Sequence, residues 1–225
     1  MIEWFHHLRK DSRMKKYNLL NWILGNLTCM LGVAFATKSD FGLSMIAAGP
    51  YIIHVKLRET LAWFTQGTSE YFFEAAILIL LCLIIRKFKF RYLLSFAEAF
   101  LAGMVLDGWL FLMGGNGAYA TLGMRIVSFV LGLVICSLGV AFFFRTEMPL
   151  QVYELAVVNI SETFSLKRER VKLGFDLCML ALSLVLALTL TGKLTGIGIG
   201  TVVTTLLNST VISFWGKLID RIEKQ

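Results

Sequence analysis

Six long apolar segments constrain the fold of this chain more than any other feature. A helix needs about 20 apolar residues to cross a hydrocarbon core about 30 Å thick. All six segments meet or approach that length; the second is short, and we expect its helix to begin earlier, near Phe64. The sequence therefore predicts an all-α polytopic membrane protein. The segments are Tyr17–Ala36, Glu70–Ile85, Tyr92–Met113, Tyr119–Phe144, Leu173–Thr191 and Leu194–Trp215.

The composition excludes several other protein classes. Hydrophobic residues make up 57% of the 225 residues and charged residues only 16%, whereas a soluble domain carries about a quarter charged residues. This excludes a disordered chain, a disulfide-rich secreted module and an ordinary soluble enzyme. The four cysteines lie singly within apolar runs, and the chain has no CxxC, GxSxG, HExxH or phosphate-binding loop. We therefore expect no enzymatic activity, no cofactor and no metal site.

The positions of the basic residues predict the orientation. If the N-terminus is cytoplasmic, 17 of the 22 Lys and Arg residues lie on the cytoplasmic side. Four lie outside (Lys38, Lys56, Arg58 and Lys193), and Arg125 lies within a span. This asymmetry follows the positive-inside rule and predicts that both termini are cytoplasmic. It also accounts for the net charge of +7 without nucleic acid as a partner.

A short sequence recurs in the two halves of the chain. Leu31–Phe35 (LGVAF) is repeated letter for letter as Leu138–Phe142, at the end of spans one and four. Because each half contains three spans, an odd number, the halves must insert in opposite orientations. Many secondary transporters are built from such inverted repeats. The further matched pairs are Lys38 with Arg145, Asp40 with Glu147, Glu74 with Asp176, Ser95 with Thr201, and Gly103 with Ser209.

The repeat divides the chain into two three-helix units. We assign residues 17–113 to the first repeat and residues 119–216 to the second. The remaining assignments are a basic cytoplasmic N-terminal segment at 1–16 and a cytoplasmic tail at 217–225.

Two connections are too long for simple loops. Segments 40–64 and 147–164, after spans one and four, mix apolar and polar residues. Each is either an interfacial amphipathic helix or a re-entrant helix that dips into the membrane. In the first of them, we expect Pro50 to occupy the first turn of a new helix, where its missing N–H costs nothing.

Four stretches give the chain a family resemblance. Over about residues 20–215 it resembles the YczE/YyaS/YitT group of bacterial membrane proteins and is closest to the YczE branch. The resemblance implies six spans and a bacterial plasma-membrane location, and it implies no substrate. The stretches are Leu31–Ala36 with Lys38–Ser44, the second-half echo Leu138–Phe144 with Arg145–Glu154, Gln66–Tyr71, and Gly196–Thr201.

The chain also departs from the family pattern. The group places a proline after the Gly-x-Ser turn and an acidic residue two positions beyond it. Met45 and Ala47 occupy these places here. In the second half Pro149 replaces the glycine and Val152 the proline, but the acid is kept as Glu154. The loss of the first acid argues against a symmetric mechanism with two carboxylates.

Asp107 and Arg125 are charged residues within neighbouring spans. The connection Gly114–Ala118 is short, so the two helices are antiparallel neighbours and the two side chains share a depth. We predict an Asp107–Arg125 ion pair. It serves either as a structural link between the helices or as part of an anion or proton site.

The remaining polar residues in the spans have alternative roles. Glu98 lies among small residues and is either a proton-coupling group, because burial disfavours its charged form, or a side chain that reaches the headgroups. Glu74 and Asp176 are candidate gate or coupling residues, although Asp176 has Lys172 at i−4 as a partner. Asn208 either forms an interhelical hydrogen bond or lines a polar path. The candidate binding or coupling residues are Asp40, Ser44, Glu74, Glu98, Asp107, Arg125, Glu147, Glu154, Asp176 and Asn208.

Three functions are compatible with these features. The first is a small-solute transporter resembling a permease, with proton coupling. The second is a non-transporting accessory or scaffold protein that docks a partner. The third is the substrate-capture subunit of an ATPase-driven importer. The expected partners are the lipid bilayer, a small polar solute, and either a second copy of the chain or another membrane protein.

Overall fold

Helices form almost all of the regular structure. The computed structural model describes residues 18–222 except 87, 147 and 150. In this part of the chain, six long helices are apolar enough to span a membrane, which identifies an all-helical integral membrane protein. The helices are α1 Asn18–Ser39, α2 Met45–Leu57, α3 Gln66–Ile85, α4 Arg91–Leu112, α5 Leu122–Phe143, α6 Val152–Thr163, α7 Arg168–Leu186 with a π-helical turn Ala187–Thr191, and α8 Ile199–Ile222.

The six predicted spans coincide with α1, α3, α4, α5, α7 and α8. The second begins at Gln66, close to the expected Phe64. The last begins at Ile199, later than the expected Leu194, and continues to Ile222. The delay has a local cause, because Gly196 adopts a φ of +72°, which interrupts a right-handed helix.

The two long connections contain the short helices α2 and α6. Ser44 caps α2, and its side chain accepts a hydrogen bond from the Ala47 N–H at 3.3 Å. The expected position of Pro50 is wrong, because Pro50 lies inside α2 and not in its first turn. The helix begins earlier because the chain turns at Gly42, where φ is +108°, and Ser44 then satisfies a free N–H group.

Helices α1 and α5 pack against each other more extensively than any other pair in the structure. A Cβ atom on Gly32 would overlap Cys136, and one on Gly139 would overlap Cys29. The Sγ atoms of Cys29 and Cys136 lie 3.7 Å apart. We call this contact the glycine seam; Gly25 and Gly132 extend it, Gly25 facing α5 and Gly132 facing α1. Small residues at these positions allow the two backbones to touch.

The other helices surround the seam. Helix α4 packs against α1 and α3, and α8 packs against α5. Both short helices lie between α3 and α7. An apolar cluster where α3, α4 and α6 meet includes Leu81, Tyr92, Val152 and Tyr153. The candidate site lies at this junction.

Candidate functional site

Three carboxyl groups are buried where α3 meets α4. Glu70, Glu74 and Glu98 are 8%, 2% and 1% exposed. Glu70 and Glu74 lie one turn apart on α3, and Glu74 interacts electrostatically with both other acids. No Lys, Arg or His in the described part of the chain forms an ion pair with any of the three.

Helix α6 begins beside one of these carboxyl groups. The backbone N–H of Val152, its first residue, donates to Glu74 Oε2 at 3.3 Å. Further along α6, Asn159 Oδ1 accepts a hydrogen bond from Tyr92 Oη at 2.9 Å, near the start of α4. Helix α6 therefore runs from the middle of α3 to the end of the bundle where α4 begins. Its N-terminus places free N–H groups and a positive helix-dipole end at Glu74.

Several polar atoms around the acids have no hydrogen-bond partner among the described residues. They are both carboxyl oxygens of Glu98, Ser95 Oγ, Asn26 Oδ1 and the Tyr153 hydroxyl. Tyr153 is 4% exposed and interacts electrostatically with Glu70 and Glu74. The side-chain amide of Asn26 approaches Glu98 as a donor but does not reach standard hydrogen-bond geometry. Ser95 lies one turn before Glu98 on α4. We call these six residues, Asn26, Glu70, Glu74, Ser95, Glu98 and Tyr153, the carboxyl cluster.

The cluster does not have the arrangement of a metal site. Within the described residues, no group of three His, Cys, Asp or Glu side chains is placed to hold a metal ion. Buried polar groups are nearly always satisfied in folded proteins, so these unpartnered oxygens are suited to take up protons or a hydrogen-bond donor.

Two acids of the second half share one base. Lys172 Nζ lies 3.0 Å from Glu154 Oε1 and 3.2 Å from Asp176 Oδ1. The predicted pairing of Lys172 with Asp176 is confirmed. Glu154 and Asp176 are therefore partners in one network that joins α6 to α7.

The predicted Asp107–Arg125 ion pair is wrong. Arg125 Nη2 lies 3.1 Å from Asp40 Oδ2, and its Nε donates to Ser39 O at 2.8 Å. Asp107 instead accepts hydrogen bonds from Gly67 N at 2.8 Å and Thr65 Oγ1 at 2.5 Å. The expectation that α4 and α5 are packed neighbours is also wrong, because these helices make little contact along their described residues. Asp107 faces the N-terminus of α3, and Arg125 faces the end of α1.

The other candidates have structural partners or lie outside the described residues. Asn208 Oδ1 accepts a hydrogen bond from Ser137 Oγ at 2.8 Å and thereby links α8 to α5. Ser44 caps α2, as described above. Glu147 lies outside the described residues. Four members of the carboxyl cluster were not among the candidates predicted from sequence: Asn26, Glu70, Ser95 and Tyr153. The only available signal was the spacing of Glu70, one turn before Glu74.

A second polar group lies at the N-terminal end of α3, where Asn116 also donates to Gln66 Oε1 at 3.0 Å. His54 Nδ1 lies 2.9 Å from Phe64 O, and His54 Nε2 lies 3.1 Å from Asn116 Nδ2. Because a carbonyl only accepts, Nδ1 carries the proton and Nε2 accepts from Asn116. Burial lowers the pKa of His54, and Arg58 lowers it further, while the Phe64 carbonyl and Asp107 act in the opposite direction. This network favours neutral His54.

Comparison with known proteins assigns a family. The family model of DUF6198, described as a family of unknown function, matches residues 14–217. The chain is 27% identical over 201 residues to the uncharacterized protein YyaS of Bacillus subtilis (strain 168), covering 88% of this chain and 92% of that protein. No solved structure matches. The resemblance to the group that contains YyaS is confirmed, and the chain belongs to the DUF6198 family.

Proposed function

We propose that the protein is a proton-coupled transporter of a small solute. The observation that carries this proposal is the carboxyl cluster, with three buried acids and no basic partner among the described residues. An ionised carboxylate without a partner costs several kcal/mol in a medium of low polarity. Each acid must therefore be protonated or face a bound cation, and a site that alternates between these states couples solute movement to protons.

The arrangement of helices supports a pair of inverted repeats. The order long, short, long, long occurs twice along the chain. The glycine seam is reciprocal, since Gly32 faces Cys136 and Gly139 faces Cys29 at the offset of 107 residues that also separates the two LGVAF sequences. Three long helices in each half, an odd number, support opposite orientations of the two halves. In transporters of this architecture the solute site lies near the membrane midplane between the repeats.

Helix α6 has the features of a re-entrant helix. It is only 12 residues long, starts beside Glu74 in the middle of α3, and is mostly buried. We propose that α2 is its counterpart in the first half. Discontinuous helices whose N-termini face the solute site are a common feature of secondary transporters.

We retain the orientation expected from the basic residues. Both termini are cytoplasmic and the membrane is the bacterial plasma membrane. The protein acts by binding and moving a solute, not by catalysing a reaction.

Individual residues have distinct roles in this proposal. Glu98 binds and releases the coupling proton. The N-terminal N–H of α6 stabilises the ionised form of Glu74, as a helix N-terminus does for an anion. Tyr153 supplies a hydroxyl that donates to an ionised acid or accepts from a protonated one.

Proton flux in liposomes tests the proposal. The purified protein is reconstituted with a trapped pH-sensitive dye, and a panel of cationic, anionic and neutral solutes is added. We expect at least one solute class to move protons, and we expect Glu98→Gln and Glu74→Gln to abolish this flux. Glu162→Gln is the matched control, because Glu162 is an exposed acid on α6, and it keeps the wild-type rate.

Two results would contradict the proposal. One is a wild-type protein that moves protons with no solute class; this would favour the accessory protein or the substrate-capture subunit. The other is an unchanged flux in Glu98→Gln and Glu74→Gln. Gel filtration of each variant in detergent separates a lost function from a lost fold.

A further inference from the structure

We infer that the transported solute is a small organic cation with N–H donors, of the alkylguanidinium or alkylammonium class, and that it is exchanged for protons at the carboxyl cluster. This inference rests on the proposed function and specifies its substrate. The protonated cluster is empty of solute, and the ionised cluster binds the cation.

The sign of the charge follows from the residues of the cluster. Glu70, Glu74 and Glu98 are acids, and no base among the described residues pairs with them. Glu154 and Asp176, by contrast, share Lys172 as an ion-pair partner. An anion at the cluster would be repelled by every ionised acid, and in a poorly screened interior that repulsion is strong. A cation restores neutrality when the proton leaves.

The hydrogen-bonding groups of the cluster point to a donor. Asn26 Oδ1 and both carboxyl oxygens of Glu98 are buried and without partners among the described residues. An amide oxygen and an ionised carboxylate only accept hydrogen bonds. Guanidinium and primary ammonium ions supply several N–H donors with positive charge. The hydroxyls of Ser95 and Tyr153, also unpartnered there, complete a set of oxygens around such a cation.

Two observations favour an extended organic cation over a metal ion. The acids are not placed to hold one metal ion together, so a point charge cannot contact all three. The surrounding side chains are apolar, including Ile77, Leu78, Leu81 and Val152. These side chains suit an alkyl group, whereas a metal ion would need more oxygen ligands.

Paired probe ions test the inference in liposomes. Methylguanidinium has N–H donors and carries a permanent charge, so it does not cross a protein-free bilayer as a neutral molecule. Tetramethylammonium has the same charge and no N–H. We expect methylguanidinium to drive outward proton flux, and tetramethylammonium to be at least about tenfold weaker, the loss typical of hydrogen bonds to a charged group.

Two variants locate the exchange at the cluster. We expect Glu98→Gln to abolish methylguanidinium-driven flux, and Tyr153→Phe to raise the methylguanidinium concentration that gives half-maximal flux. Glu162→Gln behaves as wild type. Binding to the detergent-purified protein, measured as a methylguanidinium-dependent rise in unfolding temperature, gives the same order of affinities and does not depend on reconstitution.

The outcomes distinguish this inference from the proposed function. If acetate, a neutral solute or sodium drives proton flux and methylguanidinium does not, the inference is wrong and the proposed function stands. Equal flux with tetramethylammonium and methylguanidinium overturns the requirement for N–H donors. If no ion or solute drives flux in the wild-type protein, both the inference and the proposed function are wrong.

Discussion

Two equivalent pairs of residues show how the halves of this molecule differ. The alignment that matches Glu74 with Asp176 also places Glu70 opposite Lys172. In α7, Lys172 and Asp176 form an ion pair one turn apart. In α3, the same spacing holds two buried acids without a base among the described residues. The halves therefore share an order of long and short helices but differ in charge at this pair of positions. The half with two acids there contains all three acids of the carboxyl cluster.

The two halves also differ in how closely their last two long helices pack. Helices α3 and α4 touch through backbone at Gly67 and Gly103. The equivalent positions in the second half hold Glu169 and Ser209, and α7 makes little contact with α8 along their described residues. Close backbone approach thus encloses the acids of the first half, while the last two helices of the second half stay apart.

The largest predicted effect compares the two basic residues that follow the repeated sequence. Arg145 is 1% exposed, donates to Gly216 O at 2.6 Å and pairs with Asp220. We expect Arg145→Met to lower the free energy of unfolding by about 3–5 kcal/mol, because it leaves Asp220 without its base. The equivalent Lys38 has no ion-pair partner among the described residues; it donates to Gly115 O at 3.0 Å and lies over the Tyr119 ring. Lys38→Met should cost about 1.5–3 kcal/mol. Denaturant unfolding in detergent measures both, and equal losses would contradict this ranking.

The second prediction concerns the close approach of α3 and α4. A Cβ atom on Gly67 would overlap the backbone of Gly103, so Gly67→Ala should destabilise the protein by about 1–3 kcal/mol. Gly108→Ala on α4 is the matched control, because that glycine has open space around it. Alanine there favours the helix by up to about 1 kcal/mol. Thermal unfolding should shift in opposite directions for the two variants, and a common direction would refute the packing argument.

The third prediction concerns the ion-pair network around Lys172 in the second half. Lys172→Gln leaves Glu154 and Asp176 without their shared base. Because Lys172 is one-third exposed, solvent screens the loss, and we expect about 1–2 kcal/mol. Glu70→Gln, the equivalent change in the first half, removes an acid that has no basic partner among the described residues and should leave stability unchanged or raise it. Denaturant unfolding measures both variants. If Glu70→Gln lowered the free energy of unfolding more than Lys172→Gln does, the proposed difference between the halves would be wrong.

The smallest predicted effect is a pH dependence confined to the first half. The lowered pKa of His54 means that the unfolded chain takes up a proton more readily than the folded protein. Stability is therefore full above the unfolded value, about pH 6.5, and is lost as the pH falls below it towards the lower folded pKa. Ser161, which does not titrate, occupies the equivalent position at the offset of 107 residues.

A comparison of melting temperatures between pH 7.5 and 5.5 measures this effect. Relative to wild type, His54→Gln should lose less stability, or gain more, when the pH falls from 7.5 to 5.5. Arg58 and Asp107 are the charged groups that interact with His54. Arg58→Gln is therefore the control, because it removes one of these charges and keeps the imidazole. If the melting temperatures of wild type and His54→Gln changed identically with pH, the pH dependence would belong to other groups.

Properties of single helices could be predicted from the sequence, whereas contacts between helices could be predicted less well. Apolar length defined the six spans, and spacing within one helix identified the Lys172–Asp176 pair. The Asp107–Arg125 prediction failed because a short loop does not oblige the two helices it joins to pack together: α4 packs against α1 and α3, and α5 packs against α1 and α8. Glu70 and Tyr153 were missed for a related reason. Their surroundings depend on the insertion of α6 beside α3, which periodicity within either helix does not reveal.

The glycine seam has a consequence for a chain cut in two. On each of the two helices a glycine contacts a cysteine of the other helix, so α1 and α5 present the same kind of surface to each other. Such a surface is self-complementary, and it is what an antiparallel homodimer of a single three-helix unit needs at its two-fold axis. The seam thus joins the halves of one polypeptide in the way that an isologous interface joins two subunits. Residues 18–112 and 122–222, produced as separate fragments, have in this seam a surface through which to associate.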